Sequence, residues 1–504
     1  MGSLDGPNRS VWVDTAPGSA YAPVGDGVEV DVAVCGGGIT GLTAAYLLQR
    51  EGLSVAVLEA DRLVSGATGY TTAKVTVLHG LAYSAITREA GAEAARTYAE
   101  AQAAGLSAVR EIVEREGIDC SLETAPAMTY APTSDDLQDV HDEVEAAREA
   151  GVDAYFTEDT GLPYPSAGAV RVDDQSHFHP RRYCLALADL VASRGGLIAE
   201  GTRVLDVDEG EPCELTTTRG TVRAGHVVVA THIPFLDRTL LFARVMPERS
   251  YAMTVRAASI PDGMYLSAAS PSRSLRPLTV DGERLLVVGG EGHKVGHETE
   301  TRERYAALEA WAREAVGATE VLHRWSTQDY EPVDRLPYVG RATARSERTW
   351  VATGFQKWGM TNGTAAAILL TDRILGRENP WAETFDPVRL NLKASLPEVV
   401  THNVEAVTEL VSERVKALGP LPSLDDVAPG EGKVVRHEGQ VLAAARSADG
   451  EVHLVSPWCT HMGCQLTFNP AEESWDCPCH GSRFDLSGHV VQGPAIRDLD
   501  RPDD

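Results

Sequence analysis

The chain has 504 residues, more than one hydrophobic core can organise, so two or three compact units are expected. A formal net charge of -28 leaves no net attraction to phosphate surfaces and argues against nucleic acid or anionic lipid as a partner. No stretch approaches the ~18 uninterrupted apolar residues of a membrane span, and the opening MGSLDGPNRSVW has neither the basic nor the apolar part of an export signal, so a soluble, cytoplasmic chain is expected.

In chain order, residues 29–60 read as strand, tight glycine turn, helix and buried strand, which is one βαβ unit. Helical patterns follow over 85–116 and 135–150, and strand-rich sequence continues to about residue 327, including a strand at 227–230. The stretch 325–376 holds a glycine-bounded loop, GFQKWGMTNG, and then an apolar helix. Val400, Val404, Val407, Val411, Val415 and Leu418 recur at steps of three and four, the mark of one amphipathic helix ending at Gly419-Pro420. Beyond it GPLPSLDDVAPGEG reads as a linker. From Lys433 onward, short strand-like segments separated by turns such as Asp449-Gly450 and Ser487-Gly488 predict a small all-β module.

The first βαβ unit carries Gly36-Gly37-Gly38-Ile39-Thr40-Gly41 between its strand and helix. Gly36 permits the tight turn, Gly38 lets backbone approach a pyrophosphate, and Gly41 lets helix pack on strand. The helix N-terminus favours phosphate charge, and Glu59, 21 residues after Gly38, is placed to accept hydrogen bonds from a ribose. A dinucleotide site is expected, the plain alternative being a glycine turn in an ordinary α/β domain. A second run, Gly289-Gly290-Glu291-Gly292 with Gly296, has the look of an NADP fingerprint but is not followed by a βα unit with a ribose-reading residue. One nucleotide site is therefore expected, and NAD(P)H is not expected as the electron donor.

Four of the eight cysteines fall between Cys459 and Cys479, a density that points to metal in a chain expected to be cytoplasmic. Cys459-Thr460-His461 and Cys477-Pro478-Cys479-His480 each offer one thiolate and one imidazole. Two cysteines on one iron and two histidines on the other is the Rieske arrangement of a [2Fe-2S] cluster, with Cys459, His461, Cys477 and His480 as ligands. Cys₂His₂ is also a zinc set, but zinc spacing pairs Cys with Cys and His with His, whereas these clamps mix the two.

From about Asp31 to Asp386 the chain resembles the D-amino-acid oxidase or glycine oxidase superfamily. The resemblance is carried by GGGITGLTAAYLLQREG, EADRLVSGATGYTTAKVT, HPRRYCLALAD, AGHVVVAT and WVATGFQKWGMTNG. It implies FAD as the dinucleotide, with Val204 at the adenine and Arg62, Thr72, Lys74, Gly354, Gly359, Met360 and Thr361 lining the cofactor. The GF…G loop would bring N–H groups and a helix N-terminus to the flavin pyrimidine edge. CTHMGC and CPCHGS are similar to the Rieske proteins of respiratory cytochrome bc complexes, which implies a disulfide between Cys464 and Cys479 and a hydrogen bond from Ser482 to a cluster sulfur. Phe484 departs from that pattern, standing where high-potential members carry Tyr, so a lowered potential is expected. TTAKVT, RWSTQDYEPVDRLPYVG and GFQKWGMTNGT further resemble a bacterial and archaeal subgroup in which an oxidase-like module precedes a Rieske domain.

The expected fold is an α/β FAD-binding, Rossmann-like domain with an inserted α+β substrate domain, followed by a small all-β Rieske domain. The expected boundaries are an oxidoreductase module at 1–395, a helical linker at 396–422 and the Rieske domain at 423–504. Within the module, FAD-binding parts are expected at 29–84, 176–235 and 326–385, and substrate parts at 85–175 and 236–325. Lys357, inside the flavin loop, and His79 are the candidate catalytic groups. His177, His179, His293 and His297 are weaker ones, each having a surface or hydrogen-bonding role as its alternative. Trp325 and Trp358 either wall the substrate pocket or belong to the core. Cys35, Cys120, Cys184 and Cys213 lack a covalent flavin attachment motif. Flavin takes two electrons and a Rieske cluster carries one, so the fusion suggests oxidation of a small amine or amino acid with transfer through the cluster to an external acceptor. The alternatives are an oxygen-using oxidase with a structural Rieske domain, and an electron-transfer protein reduced by a partner.

Overall fold

The structure, a computed structural model, describes residues 8–389 and 419–502. The amphipathic helix expected at 400–418 lies outside these residues.

The first layer is a largely parallel sheet in the order Tyr338–Arg341, Thr349–Thr353, Gly220–Val229, Val28–Cys35, Val55–Leu58 and Leu197–Ala199. Its central strands are continuous apolar runs because both faces are covered: Val32 to Cys35 and all of Val55–Leu58 are buried. Val32 and Val34 lie among helices, and Ala33 and Cys35 pack with Val204, Val207 and Leu215 of the antiparallel pair Val204–Asp208 and Cys213–Thr217. The helix Ile39–Arg50 packs against Gly359–Ile374 and Pro180–Ser193. The strand expected at 227–230 is the end of the longer Gly220–Val229, and the helical stretch expected from residue 85 is two helices, Ala82–Ala90 and Ala92–Glu116, broken at Gly91.

The second layer is a nine-stranded mixed sheet in the order Ala318–Pro332, Val245–Ala257, Glu283–Lys294, Arg273–Val280, Met264–Ser267, Glu123–Ala131, Gly168–His177 and Lys74–Val75, with Ala154–Thr157 added to Gly168–His177. It takes in Lys74–Val75 and the whole of Ala318–Pro332, so it extends past the expected boundaries at 84 and 326 on both sides. The strand Ala318–Pro332 runs on until Pro332 meets Gly354 beside the first layer, and Lys74–Val75 joins by pairing with the end of Gly168–His177. The helix Thr301–Val316 covers one face, where Tyr251, Met253 and Val255 pack with Leu308, Ala312 and Val316. Strand alternation turns Ser250 and Ala252 to the opposite face. That face is floored by small side chains, with Ser250, Ala252, Ser274, Gly289 and Thr327 all lining a cavity between the two layers.

The C-terminal residues form a three-stranded antiparallel sheet, Glu431–His437, Gln440–Arg446 and Val452–Val455, and a four-stranded one, Thr467–Asn469, Ser474–Asp476, Arg483–Asp485 and Val490–Gln492. This all-β unit is seated firmly on the rest of the chain. Thr301 Oγ1 donates to Asn469 Oδ1 at 2.7 Å, Tyr305 to Glu472 at 3.0 Å, and Arg203 to the Val490 carbonyl at 3.2 Å. Gly296 lies so close to Pro478 that a β-carbon there would come within 2.6 Å of it.

Candidate cofactor cavity and cluster site

The cavity is about 1500 Å³ and runs from the glycine turn, past Arg62 and Val204, to the floor of the second sheet. At the turn, Gly36 has φ +111°, and a β-carbon on it would stand 2.5 Å from the Ala230 carbonyl oxygen. A β-carbon on Gly41 would stand 2.0 Å from the Gly36 oxygen, so both positions require glycine. Gly38 caps the helix Ile39–Arg50 without a side chain; Ile39 N donates to Thr68 Oγ1 at 3.1 Å, and Thr40 in the same turn lines the cavity. Glu59 accepts from Gly37 N at 2.7 Å and from Asp61 N at 3.0 Å. Burial raises its carboxyl pKa, and those two N–H groups oppose the rise. Both carboxylate oxygens keep a lone pair for a further donor.

Arg62, Thr72, Lys74, Val204, Gly359 and Met360 all line the cavity. Thr361 and Gly354 are not among its lining residues. Thr361 is buried behind the loop, where its hydroxyl reaches the Thr76 carbonyl at 3.3 Å and His79 Nε2 at 3.2 Å. Gly354, at φ +77°, presses against Pro332 and makes the bend that starts the loop. Gln356 and Lys357 follow with φ 50° and 70°, two consecutive left-handed non-glycine residues. Such a pair is costly and persists where surrounding contacts hold it. Here Gln356 N donates to Tyr330 O at 3.3 Å, and Lys357 Nζ lies 3.3 Å from Glu331 and 3.9 Å from Glu248.

His79 lines the cavity but is engaged at both nitrogens, sharing hydrogen bonds with Tyr98 at 2.6 Å and with the Thr76 carbonyl at 2.7 Å, and it stacks on Trp358 at 4.5 Å. Burial pushes its pKa down to about 3, so the ring is neutral and holds the loop and the start of Gly359–Ile374 in place. Trp358 lines the cavity, whereas Trp325 is core, fully buried with its indole N–H on the Tyr70 carbonyl at 2.8 Å. Of the other histidines, His177 pairs with Arg276, His179 caps Pro180–Ser193, and His293 pairs with Tyr251. Gly289 and Gly290 sit in the middle of an antiparallel strand, which is incompatible with a nucleotide turn. Sequence reasoning missed His232, which lines the cavity at φ 71° and reaches Asp329 at 3.2 Å. Its φ and its partner depend on tertiary placement, and no motif marks it.

In the all-β unit, Cys459 N donates to Cys464 O at 2.9 Å and Cys477 N to Ser482 O at 2.8 Å, so each clamp is a tight loop. These loops bring the thiols of Cys459 and Cys477 within hydrogen-bonding distance of each other, and set the rings of His461 and His480 5.1 Å apart. The Nδ1 atoms of both rings are buried. Two facing thiols beside two facing imidazoles match the donor set of a Rieske cluster. Cys464 and Cys479 form a disulfide that ties the loops together. Ser482 is fully buried and its hydroxyl reaches the Cys459 sulfur, while Phe484 is fully buried without a hydroxyl to offer. Phe242, from outside the all-β unit, packs edge-on against both His461 and His480 at 5.0 and 4.8 Å.

The FAD dependent oxidoreductase family is matched over residues 31–373, and the Rieske [2Fe-2S] domain over 419–502. The chain belongs to the FAD-dependent oxidoreductase family. The oxidoreductase is 36% identical over 498 residues to the Bacillus subtilis protein YhfW, described as a Rieske 2Fe-2S iron-sulfur protein, covering 98% of this chain and 97% of that one. It is 24% identical to the gamma-glutamylputrescine oxidoreductase of Escherichia coli, over 74% of this chain and 89% of the relative. Its fold matches glycine oxidase from Geobacillus kaustophilus with a TM-score of 0.60 and 21% identity, over 72% of this chain and 99% of that one. The oxidoreductase thus binds FAD in its first module and a [2Fe-2S] cluster in its second. Among the described residues, no helix is long and apolar enough to cross a membrane.

Proposed function

We propose that the oxidoreductase oxidises a small amine or amino acid in the cavity and passes the electrons, one at a time, through its own cluster to an external protein or quinone acceptor. In this reading Gly36, Gly38 and the first turn of Ile39–Arg50 hold the pyrophosphate, Glu59 the ribose and Val204 the adenine. Cys459 and Cys477 hold one iron, His461 and His480 the other. Bound flavin supplies a hydride acceptor and the bound cluster a one-electron carrier. The substrate class rests on the kinship with gamma-glutamylputrescine oxidoreductase and on a floor of hydroxyls and glycine with room for a small molecule.

The observation that carries the internal route is a hydrogen-bonded bridge between the loop at 354–363 and the second clamp. Gln328 Nε2 donates to the Gly481 carbonyl at 2.8 Å, next to His480, and to the Tyr330 hydroxyl at 3.1 Å. Tyr330 in turn accepts from Gln356 N through its carbonyl and donates to Gly493 O at 3.2 Å. Gln328 is 3% exposed and Tyr330 1%, so the bridge is shielded from water. Rapid mixing with glycine, L-proline, benzylamine and putrescine without oxygen tests the reading. Flavin bleaching followed by loss of the oxidised cluster spectrum is expected, and a cluster that stays oxidised while flavin bleaches would overturn the internal route.

A further inference from the structure

Lys74 occupies an unusual place for a lysine. It is 6% exposed, lines the cavity at the edge of the second sheet, and holds its Nζ between the Tyr265 carbonyl at 2.7 Å and Ser274 Oγ at 2.6 Å. Those two acceptors use both N–H bonds of a neutral amine, which leaves the nitrogen lone pair for the cavity. The charged groups packed around it do not favour an ammonium. Arg276, on the strand that also carries Ser274, is buried and cationic, with its guanidinium on the Thr72 carbonyl at 3.1 Å. His177 stands opposite Lys74 in the strand register, and burial and Arg276 keep it neutral. The carboxylate of Glu123 reaches His177 at 4.0 Å and offsets Arg276. Burial first, and Arg276 second, lower the Lys74 pKa to about 7.

An amine in neutral water is an ammonium, because alkyl amines titrate near 10. Its nitrogen has no lone pair to form the C=N bond, so hydride cannot leave the adjacent carbon until one proton is removed. We propose that Lys74 is the catalytic base that takes this proton from the substrate ammonium. The N–H bond of the substrate breaks, a third N–H bond forms on Lys74 Nζ, and the neutral amine then loses hydride to the bound flavin as its lone pair becomes the C=N bond. Both electrons go to the flavin, and the proton on Lys74 is returned to solvent before the next turnover. The substrate is accordingly a primary or secondary amine that arrives protonated. This inference rests on the amine reading above, and its test separates the two.

Lys74→Met keeps the length and apolar stem of the side chain in its buried slot, and Lys74→Arg keeps the cation without a usable base. Flavin reduction by the amine panel is measured without oxygen from about pH 6 to about pH 10. The wild type is expected to accelerate through a single ionisation near neutrality. Both variants are expected to lose that limb, to be slower by about 10²–10⁴-fold, and to recover towards high pH, where the substrate deprotonates unaided. A Lys74→Arg enzyme near wild-type rate, or either variant with the limb intact, overturns the assignment. An independent reading comes from pulse acetylation of the flavin-loaded wild type with acetic anhydride, followed by peptide mass spectrometry. Half-maximal labelling of Lys74 near neutral pH supports the base, and labelling only above about pH 9 overturns it. If no amine in the panel bleaches wild-type flavin, the amine reading falls, and the acetylation profile still decides whether Lys74 is a neutral amine.

Discussion

The cluster site and the flavin cavity were built by the chain in opposite ways. The cluster's four candidate ligands lie within Cys459 to His480, and two short loops with local backbone hydrogen bonds face them towards each other. The cavity draws on segments from Arg9 to Ile496, and its floor is a sheet face whose composition depends on register. A metal centre needs specific atoms at short range, so its chemistry is written into spacing. A substrate floor needs shape and small side chains, and any strand can provide these once its neighbours are fixed.

The sharpest break of this contrast is at a thiol. Cys459→Ser is expected to abolish the cluster, with iron content and the oxidised cluster absorbance falling to background while the yellow flavin spectrum persists. Loss of flavin in the same variant would show that the two sites do not assemble independently.

The same logic applied to the turn gives the next largest effect. Gly41→Val places side-chain atoms where even a β-carbon meets the Gly36 oxygen at 2.0 Å, and overpacking of this kind costs about 1–3 kcal/mol. The purified protein is expected to carry much less FAD and to melt earlier, with the cluster content unchanged.

A third prediction uses pH. His79 and His179 have pKa values lowered to about 3, and His177 to about 2, chiefly by burial. Unfolded histidines titrate near 6.5, so below that value the unfolded chain binds protons that the folded chain refuses. Stability is therefore complete above about pH 6.5 and falls as the pH drops, by about 1.4 kcal/mol per pH unit for each of the three. Chemical denaturation at a series of pH values measures the slope. All three histidines lie in the first module, so the cluster spectrum should outlast the flavin spectrum on acidification.

The smallest effect sharpens the cluster side. Phe484→Tyr adds a hydroxyl at the position where high-potential members of the resembling proteins carry one. A charge-assisted hydrogen bond of about 1.4 kcal/mol to a cluster sulfur would raise the one-electron potential by about 60 mV, measurable by redox titration followed by EPR.

Particular residues show where legibility stopped. The tight turn at Gly36 and Gly41 and the closeness of Glu59 to it are legible in the sequence, because steric need and one backbone hydrogen bond fix them over a few residues. Lys74 is placed at the cofactor by resemblance, yet its burial with the amine on the Tyr265 carbonyl and Ser274 Oγ follows from strands almost 200 residues distant, and no local pattern marks it. Trp325 and Trp358 were indistinguishable as sequence, and only packing put one in the core and the other at the cavity. His79 read as an acid-base candidate, but the ring is locked by Tyr98, Thr76 and Trp358.

The amino-acid sequence by itself determined that the chain carries a glycine turn between strand and helix and two mixed sulfur and imidazole clamps, because each is a short-range arrangement in which spacing along the chain is spacing in space. Tertiary structure alone decided how the two halves meet, through Gln328, Tyr330 and Phe242, and which cavity lysine has, among the described residues, neutral oxygens rather than a carboxylate at its amine. Those facts depend on strand register and on the seating of one unit against another, which are fixed by packing summed over many residues and leave no periodic trace in any one segment.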